Sequence, residues 1–440
     1  MNYIGPFIKS NQIKEDNILD QLFHLSKEAI KFIELYSHFG NTIDKYDLQS
    51  FNMSNQYPLL SIYKKADITL LIDEKSCYLD EKSFKKEYCA TSNALLSLNL
   101  LELSDYYEEI YKDDPLKTIS ELYRALSKKQ LEHYAHKLRN QEGFFVDMEE
   151  DLEKGSLTLK SNKYKLSDQA LFMAAYNKCG NSKEGPTDFK AFSLEILDML
   201  FNNLEDIYSS SELEIVKIIL ALNIVYKSSK SVAVEGLLLD LNDLIIEDID
   251  SLNLETLSFL SIVTSFTYLN TGIYKLKDNL VKIQSQLTEY YDEDSHSIKK
   301  SGDKTVKYNC CEITFFQLSD LLSNKCIDTK SLLGYEYFQK NIIKSGIIKS
   351  WPESPNIESA ERYSNYIKKS DFLLPESHFR MSTFGTPEQA LKAPLFSKYI
   401  VYNPKKGTFK EGKDIFESEK NLLIFLVITM TKMLITEAAI

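Results

Sequence analysis

Two acidic turns hold the side chains best suited to chemistry in this sequence. The first runs through 147–151 and the second through 292–294. Carboxyl groups this close together can act as general acid and general base, or bind a divalent cation through their oxygen atoms. We therefore predict Asp147, Asp292 and Asp294 as catalytic candidates. The alternative is a pair of solvated acidic loops, because charged loop side chains are mostly exposed.

A second candidate site lies in the stretch 347–412, whose many aromatic residues favour a long, ordered loop. It contains Trp351, the only tryptophan of the chain, together with His378 and Arg380. An arginine beside a histidine and aromatic rings can clamp a carboxylate or a phosphate. We predict these three residues as ligand-binding, and a structural salt bridge at Arg380 is the alternative.

A histidine pair and a cysteine pair are weaker candidates. His133 and His136 share one face of a predicted helix, but two ligands do not make a metal site, so we predict no metal. Cys310 and Cys311 open another predicted helix, and a helix N-terminus lowers the pKa of a thiol. Their activation would need His296 to approach in space, and a pair of buried apolar cysteines is the alternative.

The composition argues against several classes of function. With a net charge of −12, the chain is not expected to bind nucleic acid. The window 235–255 carries acidic side chains and no basic ones. It indicates either a solvent face or a docking surface for a basic protein partner or a divalent cation. Glycine-rich phosphate loops and the G-x-S-x-G signature are absent, so the cofactor stays unknown.

The chain is predicted to be cytoplasmic and not to enter a membrane. Its six cysteines show no C-x-x-C spacing, which fits reduced thiols. Its first residues lack the basic and apolar segments of a signal peptide. The most apolar predicted helix, 416–437, is interrupted by Lys432 and falls short of the ~20 apolar residues that a membrane span needs. We expect it to be a buried core helix.

Long helices are predicted for most of the chain, because only 14 glycines and 10 prolines occur among 440 residues. The predicted helices are 14–37, 92–112, 116–138, 167–178, 188–208, 211–228, 234–250, 254–269, 272–290, 310–323, 330–346 and 416–437. The stretches 139–163 and 347–412 are predicted to be non-helical, and a short strand is predicted at 67–72.

A recurring helix entrance positions the acidic turns. In each copy, acidic residues precede a polar segment, a tyrosine, and a capping or acidic residue that opens an apolar helix. Tyr88, Tyr164 and Tyr308 hold the same place in three copies, and a fourth copy at 402–419 is degenerate. Chance recurrence of ordinary helix caps is the alternative. Repeated helix pairs are typical of stacked or ring-closed architecture, because one pair cannot bury its own apolar face.

The helix entrances also assign structural roles to individual side chains. We predict Ser167 as an N-cap, because its hydroxyl can accept a bond from an unpaired backbone N–H. Asp168 and Glu312 are predicted to be first-turn acids that favour the helix dipole and act structurally more than chemically.

The entrance motif resembles the repeat of the α/α toroids, most of all that of terpenoid cyclases and protein prenyltransferases. It is carried by the Gly143-Phe144 turn, the acidic residue, Tyr164 and the helix opening at Ser167-Asp168. The resemblance implies inner and outer helices that close into a ring around a central cavity. The catalytic motifs of those enzymes are missing: there is no Asp-x-Asp-Asp motif and no matching zinc site. Six-hairpin glycosidases share the general architecture and need only two carboxylates.

We predict one all-α domain over residues 1–440, an α/α toroid of helical hairpins with 347–412 as a capping loop. Two functions stay open. In the first, the protein binds or transforms a small-molecule ligand in the central cavity, with the acidic turns around its mouth. In the second, it is a protein–protein interaction scaffold that uses its acidic helical surface. An enclosed cavity lined by carboxylates and aromatic residues would favour the first function.

Overall fold

The computed structural model describes most of the chain. The described residues are Leu25, Ala29, 63–66, 70–72, 77–79, 85–110, 117–151, 156–183, 185–300, 305–327, 333–343, 345–349, 395–412 and 416–438. Of the predicted helix 14–37, only Leu25 and Ala29 are described, and Leu25 and Ala29 are buried and helical. Trp351, His378 and Arg380 lie outside the described residues, so the ordered loop and its ligand-binding role stay predictions, as does the single domain.

Within the described chain, six helices form the inner layer of a closed ring. They are α1 (Ala90–Ile110), α3 (Leu166–Asn181), α6 (Glu212–Ser229), α8 (Leu254–Thr271), α10 (Cys310–Ile327) and α12 (Asn421–Ala438). Each inner helix contacts the next in this order, and α12 closes the ring against α1. Their described side chains are buried on nearly every face, as expected for helices that are apolar all round.

The outer layer consists of amphipathic helices. They are α2 (Lys117–Lys137), α4 (Thr187–Asn202), α5 (Leu204–Tyr208), α7 (Val232–Glu247), α9 (Tyr274–Glu289) and α11 (Tyr335–Tyr337), which continues as a π-helix through Phe338–Ile343. Helix α9 buries Leu276, Leu280 and Ile283, which is the spacing of a single apolar stripe. Helices α2, α4, α7 and α9 pack on α1, α3, α6 and α8. This alternation is an α/α toroid, and the predicted fold is confirmed.

Short antiparallel strands stand at the entrances of the inner helices. They are β1 (Tyr63–Ala66), β2 (Leu70–Ile72), β3 (Cys77–Leu79), β4 (Lys85–Tyr88), β5 (Val146–Asp151), β6 (Ser156–Tyr164), β7 (Tyr291–Asp292), β8 (Ser297–Ile298), β9 (Val306–Asn309), β10 (Ile348–Lys349), β11 (Leu395–Phe396), β12 (Tyr399–Asn403), β13 (Thr408–Glu411) and β14 (Phe416–Glu417). The two larger sheets have the orders β14-β1-β4-β5-β6 and β13-β12-β9. Strands β4, β6 and β9 lead directly into α1, α3 and α10.

The repeated tyrosine holds the same place before three inner helices. Tyr88, Tyr164 and Tyr308 each lie two residues before the first residue of an inner helix, at or next to the end of a strand. The predicted place before an inner helix is confirmed, but the side chains differ in burial, since Tyr308 is 2% exposed and Tyr164 is 37% exposed. The described part of 139–163 is non-helical, as predicted, and there β5 and β6, which were not predicted, pair as a hairpin. Strand β6 is exposed along most of its length, so no alternation of apolar residues marked it.

Two local predictions are also corrected. Helix α3 begins at Leu166 with Lys165 at the N-cap, and the hydroxyl of Ser167 donates to Glu214 instead of capping the helix. The predicted helix 188–208 is interrupted at Asn203, whose side-chain amide donates to the carbonyl of Met199 at 2.7 Å. Asparagine competes in this way with the helical backbone.

The last helix behaves as a core element. The side chains from Leu422 to Ile428 in α12 are buried, which confirms the prediction of a buried core helix. Within the part of the chain that the structure describes, no helix combines the length and the apolar character needed to cross a bilayer.

Candidate functional site

A cavity lies where the inner helices begin. Its volume is about 490 Å³. Residues in or beside the first turns of the inner helices line it, including Thr91 of α1, Leu213 of α6, Glu255 of α8, Cys311 of α10 and Leu422 of α12. The first turns of helices carry backbone N–H groups without intrahelical partners, so the fold directs polar groups toward one mouth of the ring.

Lysines are the most frequent charged residues of the cavity wall. The lysine cluster comprises Lys165, Lys217, Lys300, Lys307, Lys398 and Lys420. Glu214 lies 2.9 Å from Lys217 and 3.6 Å from Lys165, and Glu312 accepts hydrogen bonds from Lys300 at 2.8 and 2.9 Å. Neither Glu214 nor Glu312 is part of the cavity wall, so in these pairs the lysine is the partner that reaches the cavity.

Glu312 is held in a reciprocal cap at the start of α10. The backbone N–H of Asn309 donates to its carboxylate at 3.2 Å, and the N–H of Cys311 donates to the side-chain oxygen of Asn309 at 3.1 Å. This is the pattern of a capping box, with Glu312 three residues after the cap. The first-turn position predicted for Glu312 is confirmed, and its contacts orient Lys300.

Glu255 is a half-buried carboxyl group in the cavity wall. Burial raises its pKa, and the neighbouring charge of Glu312 raises it further. Its hydrogen bond from the amide of Asn309 spans 3.3 Å, and no described lysine or arginine lies within ion-pair distance. By contrast, Glu417, which also lines the cavity, is 2.7 Å from Lys398 and 3.2 Å from Lys65. A shielded carboxyl with a raised pKa in a cavity is a candidate for proton transfer.

Asp168 couples two inner helices beneath the cavity wall. Its carboxylate accepts a hydrogen bond from Thr91, so α3 is tied to α1. The side chain is 4% exposed, and burial raises its pKa from 3.8 to about 6. The predicted first-turn position is confirmed, but the ionised form is penalised by burial, which a solvated first-turn acid would not be.

Replacing Asp168 with asparagine is expected to change how stability depends on pH. The raised pKa means that the folded wild type loses stability as pH rises from about 4 through about 6, because the carboxyl must ionise in a buried site. Asparagine keeps an oxygen that accepts from Thr91 and cannot ionise. The variant should therefore gain stability relative to wild type between pH 4 and pH 7, measured by denaturant unfolding.

The control for this prediction is Asp188→Asn, since Asp188 is an exposed first-turn acid of α4. It should lose about 0.3–1 kcal/mol, the usual contribution of a charge at a helix terminus. If Asp168→Asn loses as much as Asp188→Asn at neutral pH, Asp168 is an ordinary dipole acid.

Three thiols also line the cavity. Burial raises the pKa of Cys89, and the hydrogen bond with Cys310 raises the pKa of Cys311 while lowering that of Cys310. His296 does not activate this pair, because its Nε2 lies 2.6 Å from Glu336 and its Nδ1 lies 3.2 Å from the hydroxyl of Tyr291. Activation of the pair by His296 therefore gains no support, and of the two thiols Cys310 is buried and Cys311 half-buried.

The predicted catalytic carboxylates lie in the entrance segments but outside the residues that line the cavity. Asp147 accepts a hydrogen bond from the backbone N–H of Ala90 at 2.9 Å and so caps α1. Asp292 accepts from the hydroxyl of Ser295 at 2.5 Å, which lowers its pKa, and Asp294 is exposed in the following turn. A catalytic role for Asp147, Asp292 and Asp294 stays a prediction.

The remaining candidates are placed on the outside of the ring. His133 and His136 belong to the outer helix α2, and the described residues contain no group of three or more side chains suited to hold a metal. In the acidic window, Asp243 lies 2.6 Å from Lys275, and Glu235 accepts a hydrogen bond from Tyr226. These internal contacts add no support for a basic protein partner.

Sequence reasoning missed the cavity wall because its members are far apart along the chain. Lys217, Lys307 and Lys420 belong to different repeats. Glu255 lies at the end of the acidic window, where it was interpreted as part of a solvent face or docking surface. The available signal was position: each of these residues lies in or beside the first turn of a predicted inner helix.

Solved structures with the same fold are known. A cellobiose 2-epimerase from Spirochaeta thermophila DSM 6192 matches with a TM-score of 0.52 and 11% identity, covering 94% of this chain and 98% of that chain. Another from Bacillus thermoamylovorans B4167 matches with a TM-score of 0.50 and 9% identity, covering 84% of this chain and 94% of that chain. No family model and no curated protein matches the sequence. The toroid architecture is confirmed, and the finer resemblance to terpenoid cyclases gains no support.

Proposed function

We propose that this protein is an enzyme that transforms a small molecule in the cavity at the mouth of the toroid, with Glu255 as its proton-transfer group. The observation that carries the proposal is the half-buried Glu255 carboxyl in the wall of a cavity of about 490 Å³. A general acid or base works best when its pKa lies near the working pH, and burial moves Glu255 in that direction.

The lysine cluster supplies positive charge, which proton abstraction needs in addition to a base. Removing a proton from a carbon next to a carbonyl group transfers negative charge to the carbonyl oxygen. An ammonium group of the cavity wall, such as that of Lys217, stabilises that charge. Glu255 accepts the proton as a carboxylate and returns it as a carboxylic acid, so the step needs no oxidant or reductant.

The fold supports a polyhydroxylated ligand. The two solved toroids named above are cellobiose 2-epimerases, which act on a sugar. We take from this only the ligand class, because a shared fold hosts many functions.

The cytoplasmic setting also stays a prediction.

A blocking variant tests where the ligand binds. Leu213 lines the cavity at the start of α6, and Leu213→Trp is expected to fill the space. The purified wild type should retain a small molecule from a metabolite extract, detected by mass spectrometry. Leu213→Trp should lower that retention at least about tenfold, since the loss of roughly 1.4 kcal/mol of binding free energy has that effect.

The matched control is Leu194→Trp, because Leu194 is 56% exposed on the outer helix α4. It should retain the ligand as the wild type does. Equal retention by both variants would place the ligand elsewhere. A wild type that retains no small molecule would favour the interaction scaffold instead.

A further inference from the structure

The cavity wall has a positively charged side at the start of α10. Strand β9 alternates, with Val306 and Tyr308 buried and Lys307 and Asn309 exposed, so Lys307 and Asn309 reach the cavity from one face of the strand. The Nζ of Lys307 lies 3.9 Å from the ring centroid of Tyr399, on the neighbouring strand β12. This contact holds the ammonium group over the cavity wall.

Two more lysines lie beside Lys307. The Nζ of Lys300 is 5.8 Å from the ring centroid of Tyr308. The backbone carbonyl of Lys398 accepts a hydrogen bond from the N–H of Cys310 at 3.3 Å. These contacts bring Lys300, Lys307 and Lys398 to the first turn of α10, and all three line the cavity.

The charge of this side is not cancelled within the cavity wall. In the described part of the chain, the wall holds six lysines and three glutamates, although the whole chain has a net charge of −12. Among the described residues, no carboxylate lies within ion-pair distance of Lys307. Lys300 and Lys398 each have a glutamate partner, but an ammonium group has three N–H donors and can bind a further acceptor.

We infer that the molecule transformed in this cavity carries a negatively charged oxyanion group, a phosphate or a carboxylate, which Lys307 binds together with Lys300 and Lys398. The inference rests on the proposed function and names its substrate class. With a neutral sugar, the ammonium group of Lys307 would have no anionic partner among the residues that the structure describes. The anion would lie at the start of α10, where the helix dipole also favours negative charge.

Calorimetric titration of the full chain tests the inference with three probes. Inorganic phosphate and gluconate represent the two oxyanions, and cellobiose represents a neutral sugar. At least one anion should bind about tenfold more tightly than cellobiose, and its Kd should rise with salt, because the attraction is electrostatic. The anion that binds more tightly identifies the group as phosphate or carboxylate.

Lys307→Met should weaken binding of that anion about tenfold, the effect of losing one charge-assisted hydrogen bond. The control is Lys282→Met, which removes an exposed lysine from the outer helix α9 and should leave the Kd unchanged. Cellobiose binding as tightly as either anion would overturn the inference. So would an anion affinity that Lys307→Met does not change.

The Glu255→Gln variant separates this inference from the proposed function. It removes a negative charge from the cavity wall, so anion binding should persist or strengthen. Lysine-dependent anion binding without any Glu255-dependent reaction would contradict the proposed function alone. Glu255-dependent transformation of a neutral sugar, without anion binding, would contradict the oxyanion inference alone.

Discussion

Glu255→Gln is expected to lower kcat/KM about 10²- to 10⁴-fold for the ligand that the wild type retains, which is the usual contribution of a positioned general acid or base. Glutamine has nearly the same size and keeps an oxygen that can accept the amide hydrogen of Asn309. It cannot take up and return a proton at neutral pH. The expected loss is therefore one of chemistry, while the shape of the cavity is retained.

The pH dependence of activity provides a second, independent test of the role of Glu255. Burial raises the pKa of Glu255, so the ionised base forms at a higher pH than in an ordinary glutamate. Activity should rise as pH increases through that raised pKa, and this acidic limb should disappear in Glu255→Gln. The control is Glu247→Gln, at the exposed end of the outer helix α7, which should keep both the rate and the profile. Full activity in Glu255→Gln would exclude the proposed role.

Glu102→Gln is expected to lower the free energy of unfolding by about 3–5 kcal/mol, the usual cost of removing one partner from a buried ion pair. Glu102 of α1 lies 2.9 Å from the Nζ of Lys178 of α3 and also pairs with Lys432 of α12. Asp105 shares both lysines, at 2.6 and 3.0 Å. The cluster ties three inner helices together, far from the helix entrances that form the cavity.

Glu102→Gln should also change how the free energy of unfolding depends on pH at low pH. Burial by itself raises the pKa of Glu102, but the attraction of Lys178 and Lys432 outweighs burial and lowers the pKa from 4.5 to about 2. A lowered pKa contributes stability that is present above pH 4.5 and is lost as pH falls toward 2. Denaturant unfolding should show a weaker loss over that range in Glu102→Gln than in wild type.

The control for the buried cluster is Asp243→Asn, which breaks an ion pair between the half-exposed Asp243 and Lys275. Exposed pairs contribute about 0–1 kcal/mol, so this variant should be close to wild type. Equal losses in Glu102→Gln and Asp243→Asn would mean that the cluster contributes no more than a surface pair.

The sequence predicts the helices well because their signals are local. Helix α8 was predicted at 254–269 and is observed over Leu254–Thr271, and its N-cap Asn253 accepts from the N–H of Thr256 at 2.9 Å. The repeated tyrosine was also recognisable, because each copy precedes an apolar run by a fixed spacing. Ring closure follows from such repeats, since each pair must bury its apolar face on the next.

The candidate site depends on packing across long stretches of sequence. Lys217 and Lys420 reach one cavity only because α12 closes the ring against α1. The raised pKa of Glu255 results from burial and from Glu312, which belongs to a different inner helix. Asp147, by contrast, belongs to a conspicuous acidic turn, yet its carboxylate caps α1. A run of acidic residues in the sequence therefore does not predict which carboxylates reach the cavity of this fold.

Incorporation of solvent deuterium tests most directly whether Glu255 transfers a proton to a small molecule in the cavity. The ligand retained by the wild type is incubated with the enzyme in D₂O and followed by proton NMR. The wild type should replace one C–H hydrogen with deuterium, since the abstracted proton exchanges with solvent, and both Glu255→Gln and Leu213→Trp should fail to do so. Deuterium incorporation that persists in Glu255→Gln, or a ligand that binds and never exchanges in the wild type, would contradict the account.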